Sequence, residues 1–430
     1  MGSNSARSSP ISAASGTPRS EALRSQNPVG SSSIGGAGGP APDLPDRPTP
    51  YRRPLVTSAV ISDLHLGSGS QSDLLRRPEI IERLLEAVGD AEQLVLLGDT
   101  IELRDGPIGA ALERSRPFFE QIGEAFAGRR IVLVPGNHDH KLLGHWLERV
   151  RDGGATVALD EVVASPHPCV EQLADWLGDT ELLMRYPGVW LRDDVFATHG
   201  HYLDSHLTLP TVERLSIATV DRIGGRPTGT RSGPEDYEKV QAPVYDLLFD
   251  LAQGARNPQA HKIGSDTPSM RIWDMIGGAS GRARNLRGRF LRSAVIPATL
   301  RGLERAGLGS FGRDFSLGEI GRAGVDAMHV AATRLGVEAE HVIFGHIHRR
   351  GPLPGEDGRS ATDPEWERRG RRLHNTGSWV YEAAMLSRAD STSAFWPGHA
   401  LLVPEAGPLE PIAVLANVPH SGLEPPGRAG

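Results

Sequence analysis

Asp63-Leu64-His65, Gly98-Asp99-Thr100-Ile101-Glu102, Gly136-Asn137-His138-Asp139, His199-Gly200-His201 and Gly345-His346-Ile347-His348 follow one another along the chain, each directly behind a short apolar run. Carboxylate and amide oxygens suit hard divalent ions, and imidazoles suit borderline transition metals. Asp63, His65, Asp99, Asn137, His199, His346 and His348 therefore form a mixed oxygen and nitrogen set. That set favours Mn first, with Fe, Zn or Ni as alternatives, over Ca or Mg. It contains no thiolate, unlike a structural zinc site. The set is large enough for two divalent ions, and a carboxylate shared between them holds such ions ~3.5–4 Å apart, the spacing of two-metal hydrolases. A pair of that kind turns a bridging water into hydroxide near neutral pH and neutralises phosphoryl oxygens. A histidine beside the ions, not bound to them, would protonate the leaving oxygen. The chemistry that fits is hydrolysis of phosphate esters.

An isolated Asp-x-His or Gly-His-x-His arises often by chance; five such motifs in one order carry the signal. Within the motifs, Glu102 reads equally as an acceptor for a ligand histidine and as a surface carboxylate at a helix start. His199 is preferred to His201 as a ligand because it directly follows the apolar run, while a turn at Gly200 would move His201 away. His140, His145 and His206 read as surface or supporting groups, and Asn375 as either a site residue or a turn residue.

Elements with the right spacing stand behind these motifs. Leu55 to Ser62, Leu94 to Leu97, Ile131 to Val134, Val195 to Thr198 and His341 to Phe344 have strand character, and each leads into a motif. Pro78 to Val88, Ala110 to Ala127 and Leu142 to Val150 have helical spacing. Arg371 to Asn375 and His399 to Val403 read as further strands. The alternation predicts an α/β layered fold, in which ligand sites form on loops beyond strand C-termini.

The expected organisation is a Ser/Gly/Pro-rich disordered tail at 1–53, a core in two parts at 54–204 and 336–417, a helical insertion at 205–335, and a flexible tail at 418–430. In the insertion, Thr211 to Ile223, Glu235 to Ala255 and Arg289 to Ala306 have helical spacing, and Arg282, Arg284, Arg287, Arg289 and Arg292 make one stretch basic. With 38% hydrophobic residues and 84 Gly plus Pro (51 + 33), much of the chain is expected to lie outside a packed core. A net charge of -7 argues against bulk nucleic-acid binding. The single cysteine, Cys169, excludes an intrachain disulfide, and no apolar stretch reaches the ~20 residues of a membrane span. A cytoplasmic protein is expected, with peripheral membrane contact through the basic insertion as an option.

The ordered motifs resemble those of the calcineurin-like metallophosphoesterases, over roughly 55–204 and 336–416. The resemblance implies a four-layer sandwich, two mixed β-sheets flanked by helices. It implies that Asp63, His65 and His348 hold one metal, that Asn137, His199 and His346 hold the second, and that Asp99 bridges them. His138 would be the general acid, oriented by the Asp139 carboxylate. Within that family the chain looks most similar to the branch related to UDP-2,3-diacylglucosamine pyrophosphatases, through Gly98-Asp99-Thr100-Ile101-Glu102-Leu103 and Asn375-Thr376-Gly377-Ser378-Trp379-Val380. It departs from that branch at His138, where the lipid A pathway enzyme commonly carries Arg. The expected substrate is a phosphorylated small molecule, nucleotide-linked or lipid-linked. The rival readings are a phosphoprotein phosphatase or nuclease on the same scaffold and a non-catalytic scaffold.

Overall fold

The computed structural model describes residues 56–153, 156–164, 166–207, 232–254, 317–353, 365–383, 385–386 and 390–425. All lie in the unit that spans Arg53–Gly430. The N-terminal tail, the Arg282–Arg292 stretch and the helical readings at 211–223 and 289–306 fall outside the described residues.

The strands are β1 (Ser58–Ile61), β2 (Gln93–Leu97), β3 (Arg130–Val134), β4 (Asp160–Val162), β5 (Glu181–Arg192), β6 (Val195–Thr198), β7 (His341–Phe344), β8 (Glu367–Arg368), β9 (Arg371–Asn375), β10 (His399–Val403) and β11 (Glu410–Ala413). They pair in the order β11-β10-β1-β2-β3-β5-β6-β7-β9-β8, with β4 beside β5. β1, β2 and β3 run parallel, as do β6, β7 and β9.

Alternation along the strands sends side chains to two different cores. Ala59 and Ile61 of β1, Leu94 and Leu96 of β2, and Ile131 and Leu133 of β3 join one core with the helices α1 (Pro78–Val88), α2 (Ile108–Ala125) and α4 (Cys169–Leu177). Their neighbours Val60, Val95, Leu97, Val132 and Val134 face the other way and pack with Val189, Leu191, Val195, Ala197 and Ile343 from the far half of the sheet. The outer face of that far half, through Phe196, Val342, Phe344 and Leu373, packs on Val325, Met328 and Ala332. Those three belong to a late helix, Leu317–Arg334. Because the strands are buried on both faces, they read in sequence as unbroken apolar runs.

The layering is thus helix, strand, strand, helix, as expected, but the two expected sheets are not shown. One mixed sheet curls so that its inner face packs on itself. The reason lies in β5. Its first part pairs with β3 at Glu181–Met184, and its second part pairs with β6 from Gly188, so hydrogen bonding continues around the bend.

α1 begins with proline at its first turn and buries Ile80, Ile81, Leu84 and Val88, the spacing of a single apolar face. α3 (His145–Gly153) follows a short 3-10 turn at His140–Leu143. Within the stretch expected as an insertion, two helices are described: α5 (Pro234–Gly254) and α6 (Leu317–Arg334).

The expected tail beyond 417 is described as far as residue 425. Leu423 is fully buried, and the Arg77 guanidinium donates to the carbonyls of Gly422, Leu423 and Glu424. Three carbonyl acceptors on one cation hold this segment against the start of α1, which a Pro/Gly-rich composition does not reveal. No helix among the described residues is long and apolar enough to cross a membrane.

Candidate metal centre

Each motif sits where a strand ends, and backbone hydrogen bonds stitch the loops together. The Asp63 and His65 amides donate to the Gly98 and Asp99 carbonyls at 3.1 and 2.8 Å. Gly345 N–H donates to the His199 carbonyl at 3.0 Å, and Trp379 N–H to the Asp63 carbonyl at 3.0 Å. The turns are tight. Seven non-glycine residues have positive φ among those described, and five of them are Asp63, His65, Asp99, His346 and His348. A left-handed backbone costs an L-residue ~1–2 kcal/mol, so this concentration at expected ligand positions is strain held at a functional site. Two glycines make room for the ligands: a Cβ on Gly136 would run into the Asp99 carboxylate and the His199 ring, and one on Gly345 into the Asp63 carboxylate.

Two clusters result. In the first, Asp63, His65 and His348 bring one ligand atom each within 4.8 Å of one another. His65 Nε2 and His348 Nε2 stand 3.2 Å apart, and His348 Nε2 is 3.3 Å from Asp63 Oδ1. In the second, Asp99, His199 and His346 converge in the same way. Asn137 Oδ1 lies 3.1 Å from both His199 Nε2 and His346 Nδ1. Asp99 Oδ2 sits between the clusters, 3.7 Å from His65 Nε2 and 3.3 Å from His199 Nε2. All seven expected ligands are therefore brought together, in the expected two groups.

The tautomers decide what these contacts mean. His199 Nδ1 is 3.1 Å from the Leu97 carbonyl, which only accepts, so that nitrogen carries the hydrogen. His65 Nδ1 donates to Glu102 Oε2 at 2.8 Å, and His346 Nε2 to Asp204 Oδ1 at 2.9 Å. The opposite nitrogen of each neutral ring then presents a lone pair inward, toward Asp99, Asn137 or another ring nitrogen. Lone pairs facing oxygen lone pairs at about hydrogen-bond distance repel unless a cation lies between them. The residues present fit divalent metal ions, with His65, His199 and His346 each turned by an outer acceptor as metal-ligating histidines are. Burial disfavours charge on His65, His199 and His348, yet the adjacent carboxylates outweigh it and raise all three. Burial likewise pushes Asp99 up, but His199, His138 and His65 hold it well below the usual carboxylate range.

His138 lies beside the first cluster, its ring edge-on to His65 at 4.6 Å. Its Nδ1 is 2.7 Å from Glu102 Oε2, so Glu102 receives two imidazoles and also accepts the Arg104 amide at 2.9 Å. Asp139 was the expected orienter of His138, and here the structure differs. The fully buried Asp139 accepts the backbone amides of Thr100 at 2.8 Å and Gly136 at 2.6 Å. Adjacent side chains in a tight turn point apart, so Asp139 braces the loops while Glu102, from the neighbouring strand end, holds the ring. Burial and the nearby Asp99 push Asp139 up to about 6.

Asn375 has the turn role: Oδ1 accepts the Gly377 amide at 2.8 Å, and Nδ2 donates to the Gly345 carbonyl at 2.7 Å. His145 is exposed beside Glu148, His206 meets the Tyr237 hydroxyl at 2.7 Å, and His140 is buried on Glu238. Sequence reading missed Asp204, Glu238 and Glu382, whose Oε2 lies 3.9 Å from His348 Nδ1. Only Asp204 left a trace, an acid five residues behind a ligand histidine.

The model of the calcineurin-like phosphoesterase family matches residues 56–268. The chain belongs to the calcineurin-like phosphoesterase family. His346 and His348 lie beyond the matched residues, and the geometry brings them into the same two clusters. Family and ligands together make the chain a metal-dependent phosphoesterase. No match was found among curated proteins.

Proposed function

We propose that this phosphoesterase uses two divalent ions, Mn foremost, to hydrolyse a nucleotide-linked or lipid-linked phosphate. The observation that carries the two-ion reading is the pair of convergent lone-pair clusters flanking one Asp99 carboxylate. Asp63, His65 and His348 would hold one ion and Asn137, His199 and His346 the other, with Asp99 shared. The ions would supply Lewis acidity toward phosphoryl oxygens and acidify water. The chain's own groups do the rest. Glu102 stays anionic, because His138 and His65 outweigh the burial that pushes it up. It takes the Nδ1 hydrogen of His138, which commits the other ring nitrogen, Nε2, to proton transfer with the leaving oxygen. Asp139 holds the Asn137 loop against the Asp99 loop through backbone amides.

The substrate class rests on the likeness of Gly98–Leu103 and Asn375–Val380 to the UDP-diacylglucosamine pyrophosphatase branch, and is a proposal of this reading alone. The test is metal analysis of the purified chain together with a panel of phosphomonoesters, phosphodiesters and nucleotide pyrophosphates. Expected are two ions per chain, chelator-sensitive turnover of bis(p-nitrophenyl) phosphate restored by Mn, and preference for a pyrophosphate or diester. Absence of turnover with Mn, Fe, Zn and Ni would refute the catalytic reading, and a preference for phosphopeptides would refute the substrate class.

A further inference from the structure

Glu238 belongs to none of the motifs, yet it is 1% exposed beneath them. It stands on α5, and its carboxylate gathers three side-chain donors. His140 Nε2 reaches Oε2 at 2.9 Å, and the Tyr202 hydroxyl reaches Oε1 at 2.6 Å. The Tyr186 hydroxyl also donates to Oε1 and lies 3.1 Å from His201 Nε2. A buried carboxylate is costly unless its lone pairs are filled; here three donors fill them.

The donors are not scattered. His140 follows the ligand Asn137 by three residues, on the same loop. Tyr202 follows the ligand His199 by three, on the 3-10 turn His201–His206. That turn also carries Asp204, which receives His346 Nε2. One helical turn further along α5, Gln241 Nε2 donates to the His201 carbonyl at 3.2 Å and to Ser205 Oγ at 3.2 Å. All three ligands of the second cluster are thus tied, directly or through Asp204, to segments that converge on α5. The bonds that orient the first cluster do not reach Glu238: His65 is held by Glu102 and Asp63 by Ser62. α5 meets the segment behind Glu102 toward its far end, where Gln253 Nε2 donates to the Gly106 carbonyl at 3.0 Å and Gln253 Oε1 accepts the Ile108 amide at 2.9 Å.

We infer that Glu238 is a positioning residue for the second metal half-site, so that this one carboxylate of α5 sets the affinity of one ion and not of the other. This rests on the two-ion reading above. A carboxylate that merely glued a helix to the core would affect both half-sites alike or neither. Glu238 instead holds the Asn137 loop and the His199–Asp204 turn at a fixed separation, which is the separation the second ion requires.

The test is Mn titration of the metal-free full-length chain, followed by electron paramagnetic resonance, which separates free Mn, a lone bound Mn and an exchange-coupled pair. Glu238→Gln keeps the volume and loses the charge and one acceptor oxygen. It is expected to bind one Mn as the wild type does and the other about tenfold or more weakly, the lower end of what outer partners of metal ligands contribute. The coupled-pair signal should then emerge only at correspondingly higher Mn. Tyr202→Phe removes a single donor and should shift the same step in the same direction by less; it decides the matter if Glu238→Gln does not fold. Two binding steps unchanged in the variant that folds, or both weakened equally, would overturn the inference. A wild-type chain that never shows a coupled pair would overturn the two-ion reading itself, and that outcome is visible before any variant is made.

Discussion

Glu102→Gln is the most informative single substitution in the centre. Glu102 Oε2 accepts both His65 Nδ1 at 2.8 Å and His138 Nδ1 at 2.7 Å, while Oε1 accepts the Arg104 amide at 2.9 Å. Glutamine offers one oxygen and one NH2 in the same volume. If the oxygen takes the place of Oε2, the NH2 confronts the Arg104 N–H. If the amide is reversed, the NH2 confronts both imidazole N–H groups. In the second arrangement His65 is driven to the other tautomer, with hydrogen on Nε2, and loses its inward lone pair. Losing a hydrogen bond to a charged group costs ~1.5–3 kcal/mol net. That agrees with the ~10–100-fold loss of metal affinity seen when an outer partner of a ligating histidine is removed. Mn affinity of the Asp63/His65/His348 half-site should therefore fall ~10–100-fold. At saturating Mn, kcat should still fall by part of the ~10²–10⁴ that a general acid contributes, because His138 is also released. Mn titration monitored by electron paramagnetic resonance gives the first quantity, and steady-state hydrolysis of an alkyl phosphodiester the second. Wild-type affinity and wild-type kcat in Glu102→Gln would refute the assignment of Glu102 as the shared orienter of both rings.

Other outcomes follow from the same geometry. His138→Ala should lower kcat ~10²–10⁴ for alkoxide leaving groups and much less for p-nitrophenolate, with both ions retained; equal loss for the two leaving groups would remove the proton-donor role. Gly136→Ala forces a methyl into Asp99 and His199, so metal uptake should fail and stability should drop by ~1–3 kcal/mol, the usual cost of overpacking; normal metal content in that variant would contradict the tight-loop argument. Burial, with His341 and Arg372 beside it, pushes His374 down to about 3, and burial with Arg350 pushes His399 down to about 3. The unfolded chain protonates both near 6.5 and the native chain does not. Stability is therefore complete above 6.5 and is lost as pH falls toward 3, at up to about 1.4 kcal/mol per unit for each group. His399→Gln, which still offers Arg350 an acceptor, should flatten the decline of denaturation midpoint between pH 6.5 and 4, and an unchanged slope would count against His399.

Legibility in the sequence followed burial. β2, β3, β6, β7 and β10 were all expected within a residue of their ends, because strands covered on both faces are short apolar blocks that little else resembles. β5 was missed: its exposed and buried residues mix, since its two parts pair with different strands around the curl. Helix Leu317–Arg334 was missed because Gly and Ala crowd its sequence and blur its apolar stripe. The seven expected ligands were picked out by motif order, and their side chains converge in the structure. The Asp139 role was misread because neighbours in sequence need not face one another in a turn.

What the sequence alone determined is the donor chemistry: which atoms can bind a cation, and that each stands at a strand end. Whether those ends meet was decided by the curl of one sheet, which β5 carries without a break. Which outer acceptor turns each imidazole was likewise a tertiary matter. Glu102 and Asp204 reach their histidines from 37 and 142 positions away, and hydrogen-bond direction depends on where side chains point in space, which linear spacing does not encode.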